Sequence, residues 1–385
     1  METRLWEGVI VHLAEQTSDH ENGAFERAVR AAADSGITKP TISESSSTNQ
    51  ESSKTRLSNK KAPDSPDLLS MYRRMVLCRT LDERIWMLNR QGKAAIMASS
   101  QGHEAGQIGS VEALQKGYDQ FYIYYRDLAV LLELGLTPTE IIKGFVAKEG
   151  EPLSGARQFP THGAHPEYGI INLSNVVATH IPQGVGAALS AKMKGENRVV
   201  IIYFGDGASS AGDCHEAMNF AAIHKLPVIF FCENNKYAIS VPLKNQMAVG
   251  SVASRAEGYG MPGIEVDGCD IMAVYEATFE AAQRARSGQG PSLIEAQVER
   301  YLPHTSDDDD SIYRSQEEIE EAKKRDPLKM LKDLLYSSEV LDEEQEELIN
   351  NDARQIVNEA TEEAEDAPYP ETDDFFKHVV GDSSV

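Results

Sequence analysis

Two short segments gather the residue types that can hold a cation and a phosphate. Gly205-Asp206-Gly207 follows the apolar run Val199–Phe204, and Asn234-Asn235-Lys236-Tyr237 follows the apolar run Pro227–Cys232. The 26 residues Ala208–Glu233 lie between the two segments. One carboxylate and one amide oxygen make a hard-oxygen pair that suits Mg²⁺ completed by phosphate oxygens. The glycines beside Asp206 let backbone amides approach a diphosphate closely. Either segment alone is an ordinary turn signal after a strand. The pair carries weight because each member ends an apolar strand and one helix separates them.

The elements that must position this pair are legible around it. Val199–Phe204 (VVIIYF) and Pro227–Cys232 (PVIFFC) are continuous apolar runs, the pattern of strands buried on both faces, and Ala211–His224 between them has helical character. That is a βαβ unit, with neighbouring parallel strands about 5 Å apart, so Asp206 and Asn235 project from the same rim. Helices over Gln183–Met193 and Ile271–Ala285 and a strand over Ser292–Gln297 extend the alternation. The expected fold is α/β, a doubly wound, mostly parallel sheet flanked by helices, with ligands at the carboxyl ends of its strands. Upstream, Leu68, Leu69, Met71, Tyr72, Met75, Val76 and Leu81 recur at helical spacing and predict a long amphipathic helix from Asp67 to about Asn89.

Three segments follow from these patterns. Residues 1–66 are an N-terminal extension with Ser- and Pro-rich stretches (Glu44–Ser53, Lys60–Pro66), read as linker. Residues 67–335 form the α/β domain. Residues 336–385 form an acidic helical segment and tail, and the charged helices of Gln316–Ala364 cover the domain or reach a partner. The formal charge is −24, of which −14 falls from Ser337 onward, with sixteen acids against two bases. Such a balance opposes nucleic-acid binding, because phosphates would be repelled.

Other chemistries are disfavoured by spacing. Cys78, Cys214, Cys232 and Cys269 include no C-x-x-C pair, which argues against a zinc site or a disulfide framework. No run reaches the roughly 18 apolar residues of a membrane helix. Met1 to Ala24 carries five acids and one Arg, unlike a transit peptide, so the cytoplasm is the expected compartment. Asp307–Asp310 lacks the ligand spacing of a calcium loop, and Gly184-Val185-Gly186 lacks the full dinucleotide fingerprint.

Wider motifs make a family resemblance. Ser99-Ser100-Gln101-Gly102-His103-Glu104-Ala105, Tyr124-Tyr125-Arg126-Asp127, Ile181-Pro182-Gln183, Tyr237-Ala238-Ile239-Ser240, Val266-Asp267-Gly268 and Arg300-Tyr301-Leu302-Pro303-His304-Thr305 occur in order. With the strand-end pair, which looks like the thiamine-diphosphate motif, they resemble the alpha subunit of the 2-oxo acid dehydrogenases over roughly residues 67–365. That family includes the decarboxylating components of the pyruvate and branched-chain 2-oxo acid complexes. The resemblance implies that Asp206, Asn235 and the backbone carbonyl of Tyr237 hold Mg²⁺, and that amides of Gly205, Gly207 and Ala208 meet the diphosphate. It implies that Tyr125 and Arg126 also reach the diphosphate, with Asn175 near it, and that Val177 offers a backbone group to the aminopyrimidine ring. His304 matches the histidine that contacts the cofactor and serves catalysis. His162 and His180 are further candidates.

A potassium site of some relatives maps onto Ser174 and Thr179, although Val176 and His180 stand where those relatives have Pro and Gln. Glu233 stands where some relatives carry a phosphate-binding Arg. Thiamine chemistry also needs a carboxylate beside the pyrimidine, which the family draws from a separate beta subunit. The resemblance therefore implies an α₂β₂ assembly that decarboxylates a 2-oxo acid and acylates a lipoyl group on the acyltransferase component. Ile96 and Met97 occupy the stretch where relatives place substrate-facing side chains. Pyruvate, branched-chain 2-oxo acids and acetoin stay open as substrates, as do an acetoin-cleaving enzyme or a non-catalytic nucleotide-binding protein as alternatives. Thr305, Ser306 and Ser315 are chemically eligible for phosphorylation.

Overall fold

A computed structural model describes residues 66–171 and 175–374. The expectations for the N-terminal extension, the end of the acidic tail and Ser174 fall outside the described residues. Helix α1 (Leu68–Arg90) leads to α2 (Glu104–Glu112), strand β1 (Gln120–Tyr122), α3 (Leu128–Leu134), α4 (Pro138–Phe145) and β2 (Ile170–Ile171). Next come α5 (His180–Met193), β3 (Val200–Gly205), α6 (Gly212–Ile223) and β4 (Val228–Asn234), followed by a small ribbon of β5 (Tyr237–Ala238) and β6 (Val241–Pro242). The chain continues through β7 (Gly263–Asp267), α7 (Ile271–Arg286) and β8 (Ser292–Gln297). It ends in α8 (Gln316–Lys323), α9 (Pro327–Ser337) and α10 (Glu343–Asp366).

The apolar runs form the middle of a six-stranded sheet ordered β2-β1-β3-β4-β8-β7, with every pairing parallel. Strand periodicity splits β3 and β4 between two cores. Val200, Ile202 and Phe204 with Val228, Phe230 and Cys232 face α5 and α6. Ile201, Tyr203, Ile229 and Phe231 face the core shared with α1, α2 and α7. Each such side chain withdrawn from water is worth about 1.5–3 kcal/mol, which is why two unbroken apolar runs anchor the sheet. Gly184 lets α5 lie against β3, since a Cβ there would come within 2.6 Å of Ile202 Cδ1.

Strand order reverses between β1 and β3, because the chain leaves β1 toward β2 and then returns to the other side. A crevice opens at the carboxyl ends of strands at such a switch point. The loops bearing Tyr124–Asp127, Gly205–Gly207 and Asn234–Tyr237 all leave the sheet at this rim.

The acidic α10 is a core element. Its stripe Ile349, Ala353, Val357, Ala360 and Ala364 is buried in the same core as α1, while Glu343, Glu344 and Glu347 face solvent. Asp342 caps its start by accepting from the Gln345 amide at 2.8 Å. No helix among the described residues is long and apolar enough to cross a membrane.

Candidate active site

Local chemistry shapes each loop of the rim. Asn234 Oδ1 accepts from the Lys236 amide at 2.9 Å while its Nδ2 donates to Glu295 at 2.6 Å, fixing the turn that follows β4. Lys236 and Ile239 take positive φ of 73° and 56°. On the neighbouring strand, Gly205 pairs with Glu233, so Asp206 and Asn235 emerge from adjacent strand ends. Gly207 is required by close approach: a Cβ there would sit 2.7 Å from the Ala238 Cβ.

These loops enclose a cavity of about 240 Å³. Tyr125, Arg126, Asn175, Val177, Gly205, Asp206, Gly207, Ala208, Asn235, Tyr237 and His304 all line it, as do His162 and His180. Thr179 does not; its hydroxyl donates to the Val176 carbonyl at 2.9 Å. The dinucleotide alternative loses its footing, since Gly184-Val185-Gly186 lies inside α5.

Asp206 is 1% exposed, and burial raises its carboxyl above the ordinary range. Its Oδ2 accepts from Gln246 Nε2 at 2.7 Å. Burial of a carboxylate is costly unless a positive partner compensates it. Positive charge converges on the same space. Arg126 and Arg300 are among the largest buried side chains of the protein, and the Nε of each has no partner among the described residues. Arg126 donates through Nη1 to the Ser99 carbonyl at 2.6 Å and through Nη2 toward His304. Arg300 donates to the Ile239 carbonyl at 3.0 Å. Burial and the charges of Arg126 and Arg300 bring the His304 pKa down to about 3. Burial also lowers His162 and His180. The Nε2 of His180 is 2.8 Å from the Tyr203 carbonyl, and its Nδ1 has no partner among the described residues.

Glu233 does not line the cavity. It is fully buried behind the rim with His103, Gln107, Tyr124 and Asp127. Burial raises Asp127 well above the ordinary range, and the charge of Glu233 adds to the shift. Burial works against Glu233, yet the hydrogen bond from His103 holds its carboxyl low. His103, Gln107, Gln246 and Arg300 are residues that spacing alone does not single out as site residues. Only the resemblance motifs containing His103 and Arg300 gave any signal. Met97 is 1% exposed and belongs to the core, whereas Ile96 lines a second cavity of about 200 Å³. Ala98, Tyr125, Phe145, Phe159, Pro160, Thr161, His162, His304 and Thr305 complete that mostly apolar lining. The two cavities share Tyr125, His162 and His304.

Residues 72–373 match the family model described as "Dehydrogenase E1 component". The chain is 47% identical over 313 residues to the 2-oxoisovalerate dehydrogenase subunit alpha of Bacillus subtilis (strain 168), covering 81% of this chain and 95% of that protein. It is 40% identical over 313 residues to the mitochondrial 2-oxoisovalerate dehydrogenase subunit alpha of Homo sapiens, covering 81% and 70%. It is 39% identical over 309 residues to the 3-methyl-2-oxobutanoate dehydrogenase subunit alpha of Mycobacterium tuberculosis (strain ATCC 25618 / H37Rv), covering 80% and 81%. With the parallel sheet and its strand-end cavity, this extent of likeness leads to one conclusion: the chain belongs to the dehydrogenase E1 component family, as an alpha subunit of the decarboxylating component of a 2-oxo acid dehydrogenase complex.

Proposed function

We propose that the strand-end cavity binds thiamine diphosphate with Mg²⁺ and that the adjoining apolar cavity receives the side chain of a branched-chain 2-oxo acid. The observation that carries the first part is the placement of Asp206 and Asn235 on adjacent parallel strand ends over one cavity. The donor set fits. Asp206 and Asn235 supply side-chain oxygens and Tyr237 a backbone carbonyl, the hard ligands that Mg²⁺ takes beside phosphate oxygens. Amides at Gly205, Gly207 and Ala208, with Tyr125 and Arg126, provide donors for a diphosphate, and Asn175 stands near it. Val177 offers its backbone to the aminopyrimidine. Asp206, buried and raised, gains from a nearby cation as any carboxylate does.

When bound, the coenzyme supplies the electron sink that stabilises the carbanion left by decarboxylation. The protein positions the reacting groups and donates hydrogen bonds to them. Arg126 occupies one nitrogen of His304, so the other is free to hold a proton against bound substrate. Tyr125 and Arg126 orient the anionic end of the coenzyme. Among the described residues, Asp206 is the only carboxylate lining the cavity. The acid that must act on the pyrimidine therefore comes from a beta subunit, within an α₂β₂ assembly that hands its acyl group to a lipoyl-bearing acyltransferase.

The branched-chain reading rests on Ile96, Ala98, Phe145, Phe159 and Pro160 beside His304, a lining that favours an aliphatic group. It agrees with the names of the relatives. A potassium site on Ser174 and Thr179 remains part of the proposal only as a minor element, since Thr179 Oγ1 is turned to its own loop. All four cysteines are free and buried, which suits the cytoplasm. Calorimetry on the co-expressed alpha–beta complex tests the whole: Asp206→Ala is expected to abolish measurable coenzyme binding with Mg²⁺. Unchanged affinity defeats the proposal.

A further inference from the structure

Behind the rim, a buried carboxylate and imidazole lie beside Asn235. Glu233 is the last residue but one of β4, and Asn235 follows directly after the strand. His103, at the start of α2, lies between them. Its Nδ1 is 2.5 Å from Glu233 Oε2, and its Nε2 is 3.5 Å from Asn235 Nδ2. His103 and Glu233 are both 0% exposed.

Donor and acceptor inventories assign the protons. Glu233 Oε2 also accepts from the Tyr124 hydroxyl at 2.9 Å and from Gln107 Nε2 at 3.1 Å. A carboxylate so surrounded by donors acts as acceptor, so His103 Nδ1 carries the proton. In the neutral imidazole the lone pair then sits on Nε2, and the atom that faces it is the Asn235 amide nitrogen, 3.5 Å away. The Asn235 oxygen is turned the other way, accepting from the Tyr237 amide at 3.3 Å, with a second lone pair left for a ligand in the cavity. The opposite tautomer would donate from Nε2, draw the Asn235 oxygen inward and present an NH₂ group where a cation needs an oxygen.

We propose that His103, held in one tautomer by Glu233, is a positioning residue that fixes the Asn235 carboxamide with its oxygen toward the cation. This inference rests on the cation reading above. Partners that orient metal ligands contribute about 10–100-fold to metal affinity.

The test is a double-mutant cycle in the co-expressed alpha–beta complex with thiamine diphosphate, reading Mn²⁺ affinity by electron paramagnetic resonance. His103→Asn keeps a donor for Glu233 but places no acceptor within reach of Asn235. Mn²⁺ affinity is expected to fall about tenfold or more, with the melting temperature nearly unchanged. Asn235→Asp offers oxygen in either orientation, so in that background His103→Asn is expected to cost nothing further. Glu233→Gln, which preserves volume and removes the fixed acceptor, carries the same expectation should His103→Asn unfold. A penalty of equal size in the Asn235→Asp background, or none in the wild-type background, overturns the proposal. Failure of Asp206→Ala to weaken Mn²⁺ binding marks failure of the underlying cation reading instead.

Discussion

Arg126 Nη2 lies 3.2 Å from Nδ1 of His304 and 3.2 Å from the His304 carbonyl oxygen. A guanidinium only donates, so Nδ1 presents its lone pair and the ring proton belongs on Nε2. The His304 amide donates to Asp308 at 2.9 Å, closing the loop around the ring. One arginine thereby sets both the place and the tautomer of the histidine that borders both cavities.

The first expectation concerns pH. Burial with Arg126 and Arg300 nearby brings His304 to about 3, against an ordinary value of 6.5. The unfolded chain takes up this proton first, so the stability tied to His304 is complete above about pH 6.5 and declines as pH falls toward 3. Nuclear magnetic resonance of the assembled enzyme is expected to show His304 neutral throughout pH 5–8. Arg126→Met is expected to raise the midpoint. A wild-type midpoint near 6.5 contradicts this account.

Gly207→Ala addresses the proposed diphosphate cradle. The added methyl meets Ala238 Cβ at 2.7 Å, and overpacking of this kind costs about 1–3 kcal/mol. Coenzyme affinity in the alpha–beta complex is expected to fall about five- to a hundredfold. Equal affinity for wild type and variant would show that the loop has room to spare.

Substrate choice is expected to respond to Ile96. Replacing it with Phe fills the apolar cavity and lowers kcat/KM for branched-chain 2-oxo acids relative to pyruvate, by about tenfold or more if one to two methylenes are displaced. Steady-state assays with a panel of 2-oxo acids provide the check. An unaltered ratio removes Ile96 from the specificity pocket.

The acidic C-terminal helix is expected to stabilise the fold. Ile349 is 2% exposed and packs in the main core, so Ile349→Ala should lose about 2–5 kcal/mol. Replacing solvent-facing Glu347 with Gln should change stability by less than about 0.5 kcal/mol. Chemical denaturation of both variants gives the comparison; equal losses would contradict it.

Much of the architecture is legible without coordinates because its signals are local. Strand Ser292–Gln297 lies where the apolar run places it, and α1 begins and ends within a residue of the expected helix. The strand-end pair is readable for the same reason: an apolar run followed by Gly-Asp-Gly or Asn-Asn carries its own geometry. The acidic composition of the last segment was less informative, because charge describes the outer face of α10 and says little about the stripe beneath it.

Alone, the sequence determined the parallel sheet, the rim on which Asp206 and Asn235 meet, and the family, since apolar periodicity and ordered motifs are properties of neighbours along the chain. Tertiary structure decided which of Ile96 and Met97 turns to a cavity, why Glu233 is buried, and what holds His304. Those answers depend on partners such as Arg126 and His304, or His103 and Glu233, separated by 178 and 130 positions. Folding brings them to hydrogen-bonding distance, and no local spacing encodes which proton each imidazole will carry.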